Sequence, residues 1–457
     1  MADSSKTLDM TRGPIMKQML IFAFPVLLSS LVQQLYVIVD TLIVSHYLGD
    51  GALAALTNCE NISWFLSAVI YGLGMGAGVV VSQAFGARDF TWMRKVIGTC
   101  IAGSGVLAVL MIPFGLIVCV PVLKLMQTPM EVIGQSSAYL EILTCGMGGS
   151  ILFNICSGVR QSAGDAKTPL YFLFFSGCLN IGLDLITIAI FHMDVEGAAL
   201  ATIFAQYVSG IAMLIYLFHV KDEQRMSWKY IRFEKRALKE VFRMGVPSAV
   251  ENSATSLANA MIQGFTNSFG VNAMAAVGAL ASVDGFAFLP INSFCQACAT
   301  FTGQNAGALN KERTYKGTKF GLWGTAISSL VMGILIFLFW KPLMSIFTTT
   351  PETLEYAKIK IYWSCFFYPL MGLTHCFSSI FRGAGKPVLS MTAYLGSWGV
   401  IRVSILMVVM SFNHSFEVLC WIYPLTWAIS AIFLACCYKW YPWFPKHEDT
   451  GAVQMNT

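Results

Sequence analysis

The sequence is poor in charged residues. Lysine, arginine, aspartate and glutamate make up 12% of its 457 residues, against roughly 25% in soluble domains. Hydrophobic residues make up 56%, so too little polar surface remains to cover a water-soluble body. This scarcity excludes a cytosolic enzyme, a DNA-binding factor and a secreted domain. It predicts an integral membrane protein that binds no nucleic acid.

The sequence also lacks the patterns of a disulfide framework or a metal centre. Its thirteen cysteines all fall inside or at the ends of apolar segments. Cys295-x-x-Cys298 has the spacing of half a zinc site, but no second pair and no nearby histidine accompany it. The six histidines are scattered, and no DDxxD-type cluster occurs. We therefore predict no enzyme; a membrane-embedded transferase is the least favoured function.

Apolar segments long enough to cross a bilayer occur twelve times. A transmembrane helix needs roughly 20 residues, and strands with alternating polarity are lacking. The windows are 18–46, 54–84, 96–121, 135–158, 168–191, 196–219, 241–268, 275–303, 318–340, 357–381, 388–411 and 417–438. We predict an all-α membrane protein with twelve transmembrane helices.

The basic residues predict the orientation. If both termini are cytoplasmic, 24 of the 29 lysines and arginines lie on the inside, as expected for a multi-pass protein of the inner (plasma) membrane. The predicted segments are a tail at 1–17, an N-lobe at 18–220, a linker at 221–240, a C-lobe at 241–440 and a tail at 441–457. The linker is predicted either as an amphipathic helix or as a solvated connection.

The two halves of the chain are related. One constant offset aligns Gly86 with Gly307 and Gly164 with Gly385, and an offset longer by one aligns Pro25 with Pro247. Because each half has six spans, both halves begin on the same side and the repeats are parallel. Two six-helix lobes forming a V-shaped central cavity are typical of a transporter rather than a channel.

A few ionisable residues fall inside the predicted spans. They are Asp40, Asp184, Glu251, Asp284 and Arg402. A charge at mid-bilayer costs roughly 2.5–3.5 kcal/mol, so such a residue faces water, is paired or is protonated. The functional interpretation is ion or substrate binding; the alternative is a static hydrogen-bonded contact between helices.

Neutral polar residues accompany these acids at helical spacing. In the N-terminal half, Asn154, Asn180 and Thr202 add neutral ligands to the Asp40–Asp184 pair, a set suited to H⁺ or Na⁺. We predict no other metal and no cofactor. The predicted substrate cavity is lined by Gln33, Tyr36, Glu251, Thr255, Asn259, Asp284, Asn292 and Gln296.

Three further residues are predicted to be structural. Pro25 and Pro247 lie at matched places in spans 1 and 7, where each removes a backbone hydrogen bond. Either a conformational bend or a fixed kink follows. Arg402 is expected to bind an acid of the C-lobe or backbone carbonyls, since a free cation would repel a cationic substrate.

Several motifs resemble those of the multidrug and toxic compound extrusion (MATE) family, prokaryotic type. They include Leu35-Tyr-Val-Ile-Val-Asp40, Gln83-Ala-Phe-Gly86-Ala-Arg88, Asn180-Ile-Gly-Leu-Asp184, Gly303-Gln304-Asn305-Ala-Gly307 and Arg382-Gly-Ala-Gly385-Lys386-Pro387. The resemblance runs from about residue 12 to 440. It implies secondary efflux of organic cations in exchange for H⁺ or Na⁺. It also implies a cation site at Asp40, Asn180, Asp184 and Thr202, with Asn154 beside them.

The predicted function is therefore a multidrug efflux antiporter working by alternating access. Its expected partners are small organic cations or drugs and membrane lipids, and the expected state is a monomer. The alternative is a flippase for lipid-linked or polysaccharide precursors. That function favours a basic cavity, whereas this chain places acids in its spans.

Overall fold

The computed structural model describes residues 7–125 and 130–445, and this part is almost entirely helical, with no strand. Apolar side chains and the lack of other partners for backbone groups in lipid favour helices throughout. The helices are α1 (Ile15–Gly86), α2 (Phe90–Leu125), α3 (Met130–Ser162), α4 (Lys167–Asp184), α5 (Val195–His219), α6 (Lys235–Asn267), α7 (Val271–Gly307), α8 (Lys311–Ser345), α9 (Pro351–Ser364), α10 (Tyr368–Gly383), α11 (Pro387–Tyr394), α12 (Arg402–Phe412) and α13 (Phe416–Trp440).

Nine helical segments in the described ranges are long and apolar enough to cross a membrane. They are Ile15–Leu48, Phe90–Pro121, Ile133–Ser162, Lys167–Ile190, Val195–His219, Val271–Gly307, Lys311–Ser345, Pro387–Phe412 and Phe416–Trp440. Each matches one predicted window. Of the other three windows, the first overlaps the shorter apolar segment Ile70–Gly86. The second falls on α6, which carries many polar residues, and the third is broken by the 3₁₀ turn Cys365–Phe367. The count of twelve stays a prediction.

Two π-helical segments interrupt the predicted spans 5 and 11. Leu185–Ile190 follows α4 directly, and Leu395–Ile401 joins α11 to α12. Asp184 ends the α-helix before the first segment, and Arg402 begins the α-helix after the second. Such wide turns occur frequently at functional sites, and here each adjoins an ionisable residue predicted to lie in a span.

The backbone repeats at the offset found in the sequence. Arg88 and Leu309 both have positive φ, at 59° and 54°, and Gly164 and Gly385 have φ of 93° and 80°. Arg88 and Leu309 are as far apart in the sequence as Gly86 and Gly307 are, and so are Gly164 and Gly385. At Gly164 a side chain is also excluded by packing, since a Cβ atom there would lie 2.2 Å from the carbonyl oxygen of Leu8.

The chain divides into two compact units. The first comprises the described residues up to Asp9 and then Leu28–Ala249; the second comprises Met10–Leu27 and the described residues from Val250 onward. In the first unit α3 packs on α2 and α5, and in the second α7 packs on α8 and α10.

These units differ from the predicted lobes in where they divide. One boundary falls inside α1 shortly after Pro25, and the other falls inside α6 shortly after Pro247. The two boundaries are therefore as far apart in the sequence as the two prolines are. Both prolines lie within helices that continue past them. Because proline removes a backbone hydrogen bond, a helix bends most readily at such a position. Sequence windows alone assigned each helix to a single lobe.

The linker between the halves contains little helix before α6 begins at Lys235, and most of its side chains are exposed or half-buried. Its helical content in the range 221–234 is one 3₁₀ turn, Trp228–Tyr230. This stretch packs along α2: Arg94 Nε donates to Glu223 O at 3.1 Å, and Thr99 Oγ1 donates to Arg232 O at 3.1 Å. Gly98 permits the close approach, since a Cβ atom there would lie 1.9 Å from Tyr230 O.

Candidate functional site

Two carboxyl groups meet in the interior of the first unit. Asp40 comes from α1 and Asp184 from the end of α4, and their side chains are close enough to hydrogen-bond each other. Asp184 is fully buried and Asp40 is half-buried. The predicted carboxylate pair is therefore formed in the structure, by residues that lie far apart in the sequence.

Asn180 and Thr202 complete this cluster. The side-chain amide of Asn180 has one orientation in which both its nitrogen and its oxygen form hydrogen bonds. In this orientation Nδ2 donates to Asp184 Oδ2 at 2.8 Å. The amide oxygen then accepts from Thr202 N and Thr202 Oγ1, each at 3.2 Å. Asn180 lies one helical turn before Asp184 on α4, and Thr202 lies on α5. The amide thus presents its nitrogen, not its oxygen, to the carboxyl pair.

Two tyrosines adjoin the carboxyl pair. Tyr36 lies one turn before Asp40, and its hydroxyl hydrogen-bonds Thr202. Tyr139 of α3 is buried and lies near Asp40, Asp184 and Tyr36. Tyr36 was expected in the substrate cavity. Tyr139 was not predicted, because nothing in the spacing of α3 distinguishes it from a core aromatic.

The cluster has unused hydrogen-bonding capacity. Oδ1 of Asp40 and Oδ1 of Asp184 are buried and have no hydrogen-bond partner among the described residues. A buried polar atom without a partner costs about 1–3 kcal/mol, and more if it is charged. Two unit charges 4 Å apart at an effective dielectric constant of 20 repel by roughly 4 kcal/mol. Such a pair is suited to binding a small cation that removes both costs.

Asn154 makes different contacts from those predicted. Its Nδ2 donates to Ser150 O at 2.8 Å and to Ser150 Oγ at 3.3 Å, within its own helix. Its place in the cation cluster therefore stays a prediction.

The residues predicted to line a substrate cavity differ in exposure. Gln33, Asn259 and Asn292 are exposed, Tyr36, Thr255, Asp284 and Gln296 are half-buried, and Glu251 is buried. Thr255 Oγ1 donates to Glu251 O at 2.9 Å along α6. Gln33 hydrogen-bonds the hydroxyl of Tyr71.

Glu251 of the second unit is already neutralised. Arg382 Nη1 lies 2.8 Å from Glu251 Oε1, and both side chains are largely buried. Ser378 Oγ donates to Oε1 at 2.9 Å and Ser390 Oγ donates to Oε2 at 2.6 Å. A carboxylate with these partners has no free charge for a cationic substrate, which argues against the role predicted for it. Arg382 was named only as part of a family motif, and its pairing with Glu251 was not predicted.

The first unit also contains a buried arginine that is neutralised by acids. Arg160 is fully buried, and it pairs with Asp165 and, at 2.6 Å, with Asp222. Both of those acids lie between helices of the first unit. In each unit a buried guanidinium is thus paired with acids of that unit, whereas the acid that pairs with Arg382 comes from α6.

Asp284 also has a protein partner. The hydroxyl of Tyr368 donates to Asp284 Oδ1 in a short hydrogen bond. Tyr368 is buried and begins α10, directly after the 3₁₀ turn. The acid remains half-buried, so its predicted place in a cavity stays open to test.

Arg402 is buried as predicted, but its partners are different. Nε and Nη2 donate to Thr426 Oγ1 at 2.9 and 2.7 Å. The guanidinium carbon lies 4.7 Å from the ring centre of Trp398 and 4.9 Å from that of Tyr423. Among the acids in the described ranges, none forms a salt bridge with it. Aromatic faces attract the cation instead.

These contacts predict that two substitutions of Arg402 differ in effect. Arg402→Ala removes packing between two rings and should destabilise the protein by about 2–5 kcal/mol, as other buried large-to-small changes do. Arg402→Met fills the same space, and since no carboxylate is left unpaired, stability should change by less than about 1.5 kcal/mol. Thermal unfolding of the purified protein in detergent measures both. Equal losses in the two variants would show that the charge itself, rather than the packing, stabilises this region.

The sequence matches a known family model twice. The MatE model matches residues 25–186 and 247–408. The two matches begin at Pro25 and Pro247. They are therefore related by the same sequence offset as these two prolines. The internal repeat is thus a repeat of the family unit itself.

Relatives extend over most of the chain. The probable multidrug resistance protein YoeA of Bacillus subtilis is 28% identical over 97% of both chains. The probable multidrug resistance protein NorM of Thermotoga maritima is 26% identical over 84% of this chain and 83% of its own. The outward-facing structure of a multidrug resistance MATE family transporter of the MOP superfamily matches 94% of this chain and 96% of its own, with a TM-score of 0.87 and 21% identity. Another MOP superfamily transporter, from Pyrococcus furiosus, matches 96% of this chain and all of its own, with a TM-score of 0.89 and 21% identity. Together with the doubled family model, these similarities establish that the chain belongs to the MatE family of multidrug efflux transporters.

Proposed function

We propose that this transporter is a secondary active antiporter that exports small organic cations in exchange for H⁺. The observation that carries the proposal is the Asp40–Asp184 pair, two carboxyl groups within hydrogen-bonding reach inside the first unit. One proton shared between them removes the repulsion and gives a partner to an oxygen that otherwise has none among the described residues. Organic cations and drugs are the proposed substrates.

The contacts of Asn180 favour H⁺ over Na⁺. A metal cation needs several oxygen ligands, but the amide oxygen of Asn180 accepts from Thr202 while its nitrogen faces Asp184. Beyond the two carboxyl groups, the cluster then offers a metal ion hydroxyl groups, such as that of Tyr36, but not the amide oxygen of Asn180. A proton needs only the two carboxyl groups.

The proton is proposed to act by changing the charge of the cluster. Loading of one proton from outside lowers the negative charge of the pair from two to one, and unloading inside restores the second negative charge. One elementary charge moving down 100 mV gains roughly 2.3 kcal/mol, enough to bias a two-state equilibrium about fiftyfold. The proposed location is the inner membrane, with both termini in the cytoplasm and the chain working as a monomer among membrane lipids.

Ion gradients imposed on proteoliposomes test this function. With a fluorescent organic cation as substrate, we expect uphill transport under a pH gradient and none under a sodium gradient at constant pH. An ionophore that dissipates the pH gradient is the control and should abolish transport. Uphill transport driven by sodium alone would show that the coupling ion is wrong. Transport of neither kind would contradict the antiporter.

A further inference from the structure

Three thiols lie together inside the second unit. Cys295 and Cys298 are one turn apart on α7, and Cys376 lies on α10. The sulfur atoms of Cys376 and Cys298 are 3.6 Å apart, and the thiol of Cys376 also hydrogen-bonds that of Cys295. All three are buried. The fold thus supplies a third thiol to the Cys-x-x-Cys motif that had no second pair in the sequence.

The packing around the cluster is tight. Gly321 of α8 lies against Cys298, and a Cβ atom there would come within 1.9 Å of the sulfur. The hydroxyl of Thr325, also on α8, contacts Cys376, and that of Ser379 contacts Cys295. No group of three or more histidines, cysteines or acids in the described ranges is arranged to hold a metal ion. Covalent sulfur chemistry, rather than metal binding, is what this geometry permits.

We propose that the thiol cluster is an oxidation site at which a peroxide joins Cys298 of α7 to Cys376 of α10. A thiolate first attacks one oxygen of hydrogen peroxide, which breaks the O–O bond and yields a sulfenic acid and hydroxide. The second thiol then attacks the sulfenic sulfur, and a disulfide forms with loss of water. In sum, two thiols and one hydrogen peroxide give one disulfide and two waters.

Distance and burial determine which pair and which oxidant react. A disulfide requires sulfur atoms about 2.05 Å apart, so the present 3.6 Å must close by roughly 1.5 Å, which rotation about side-chain bonds can supply. Hydrogen peroxide is the proposed oxidant because buried thiols are out of reach of bulky or charged oxidants, whereas peroxide is small and uncharged. The bond ties α7 to α10 within the second unit.

Cys295 gives the site a second possible pairing. It lies three residues before Cys298 on α7, and both thiols contact Cys376. Thiol–disulfide exchange can therefore move the bond from one α7 cysteine to the other. Cys376 is shared by both pairings, and it is the residue on which the site depends.

Peptide mapping of the purified full-length protein tests the proposal without any transport measurement. The reduced protein is treated with hydrogen peroxide, unfolded, alkylated at its free thiols and digested for mass spectrometry. We expect a linked peptide containing Cys298 and Cys376, removed by later treatment with dithiothreitol. Cys298→Ser should shift the link to Cys295, and Cys376→Ser should abolish every link to α7. Cys420→Ser, which removes a buried thiol of α13 in the same unit, should leave the link unchanged.

Two results would overturn this site. One is a wild-type map in which all three thiols stay free while the exposed Cys145 is oxidised by the same peroxide. The other is a link between Cys295 and Cys298 that persists in Cys376→Ser. The wild-type map decides by itself, so a variant that fails to fold leaves the outcome clear.

Discussion

Asp184→Asn should retain drug binding and lose concentrative efflux. The amide is neutral at every pH, so it holds the cluster in the charge state of the proton-loaded pair and removes the exchange on which coupling depends. Asp184 is fully buried and accepts from Asn180, so the isosteric change preserves the local packing. Asp40→Asn should behave in the same way.

Two measurements separate binding from coupling. Anisotropy of a fluorescent organic cation on the purified variant should give a dissociation constant within about threefold of wild type, or about 0.6 kcal/mol. Uphill transport in proteoliposomes under a pH gradient should fall to the level of empty vesicles. Glu141→Gln is a matched control, because this carboxyl lies on α3 of the same unit but is exposed. If both aspartate variants transported at wild-type rates, Asp284 would become the leading coupling carboxyl.

Glu251→Gln should destabilise the protein by about 3–5 kcal/mol, because it leaves a buried guanidinium without its counter-charge. Arg382 is 11% exposed and has Glu251 as its acidic partner. The serines around the carboxylate, Ser378 and Ser390, cannot neutralise a positive charge. We expect a lower unfolding temperature for the purified variant and an equal loss of transport for cationic and neutral substrates.

The matched controls distinguish a structural pair from a substrate anchor. Replacing both partners, as Glu251→Met with Arg382→Met, should recover most of the stability, since a buried pair contributes little beyond an apolar replacement of similar size. The exposed pair of Glu312 and Lys316 is the surface control; Glu312→Gln should leave the unfolding temperature almost unchanged, because solvent screens an exposed ion pair. Normal stability of Glu251→Gln with selectively weaker binding of cationic dyes would restore the substrate role predicted from the sequence.

The two units use their buried charges differently although they share one fold. In the first unit Asp165 and Asp222 neutralise Arg160, and no described residue forms a salt bridge with Asp40 or Asp184. In the second unit the acid from α6 neutralises Arg382, and Arg402 is held by two rings and a hydroxyl. The first unit therefore contains the proposed proton site, and the second contains fixed charges and the thiol cluster.

Class, helical fold and repeat were predictable from the sequence because each depends on composition or on a constant spacing. The scarcity of charge required a membrane protein, and lipid allows a backbone few alternatives to helices. The offset of Pro25 from Pro247 gave the same repeat that the family model matches. Asp40 and Asp184 were identifiable because an acid in a span is costly. The same reasoning could not show that Glu251 differs from Asp40 and Asp184. The free-energy cost of an acid in a span does not reveal whether a basic side chain pairs with it.

Which side chains meet was decided only by the tertiary structure. Arg382 and Glu251 are 131 residues apart, and Cys376 and Cys298 are 78 residues apart. Helical periodicity places residues on one face of one helix but contains no information about the neighbouring helix. The division of α1 and α6 after their prolines and the course of the linker along α2 likewise depend on packing. Composition and spacing therefore determined the kind of molecule, its repeat and the candidate proton carboxyls. Contacts between helices decided which of the charges in the described residues are neutralised by a partner within the protein.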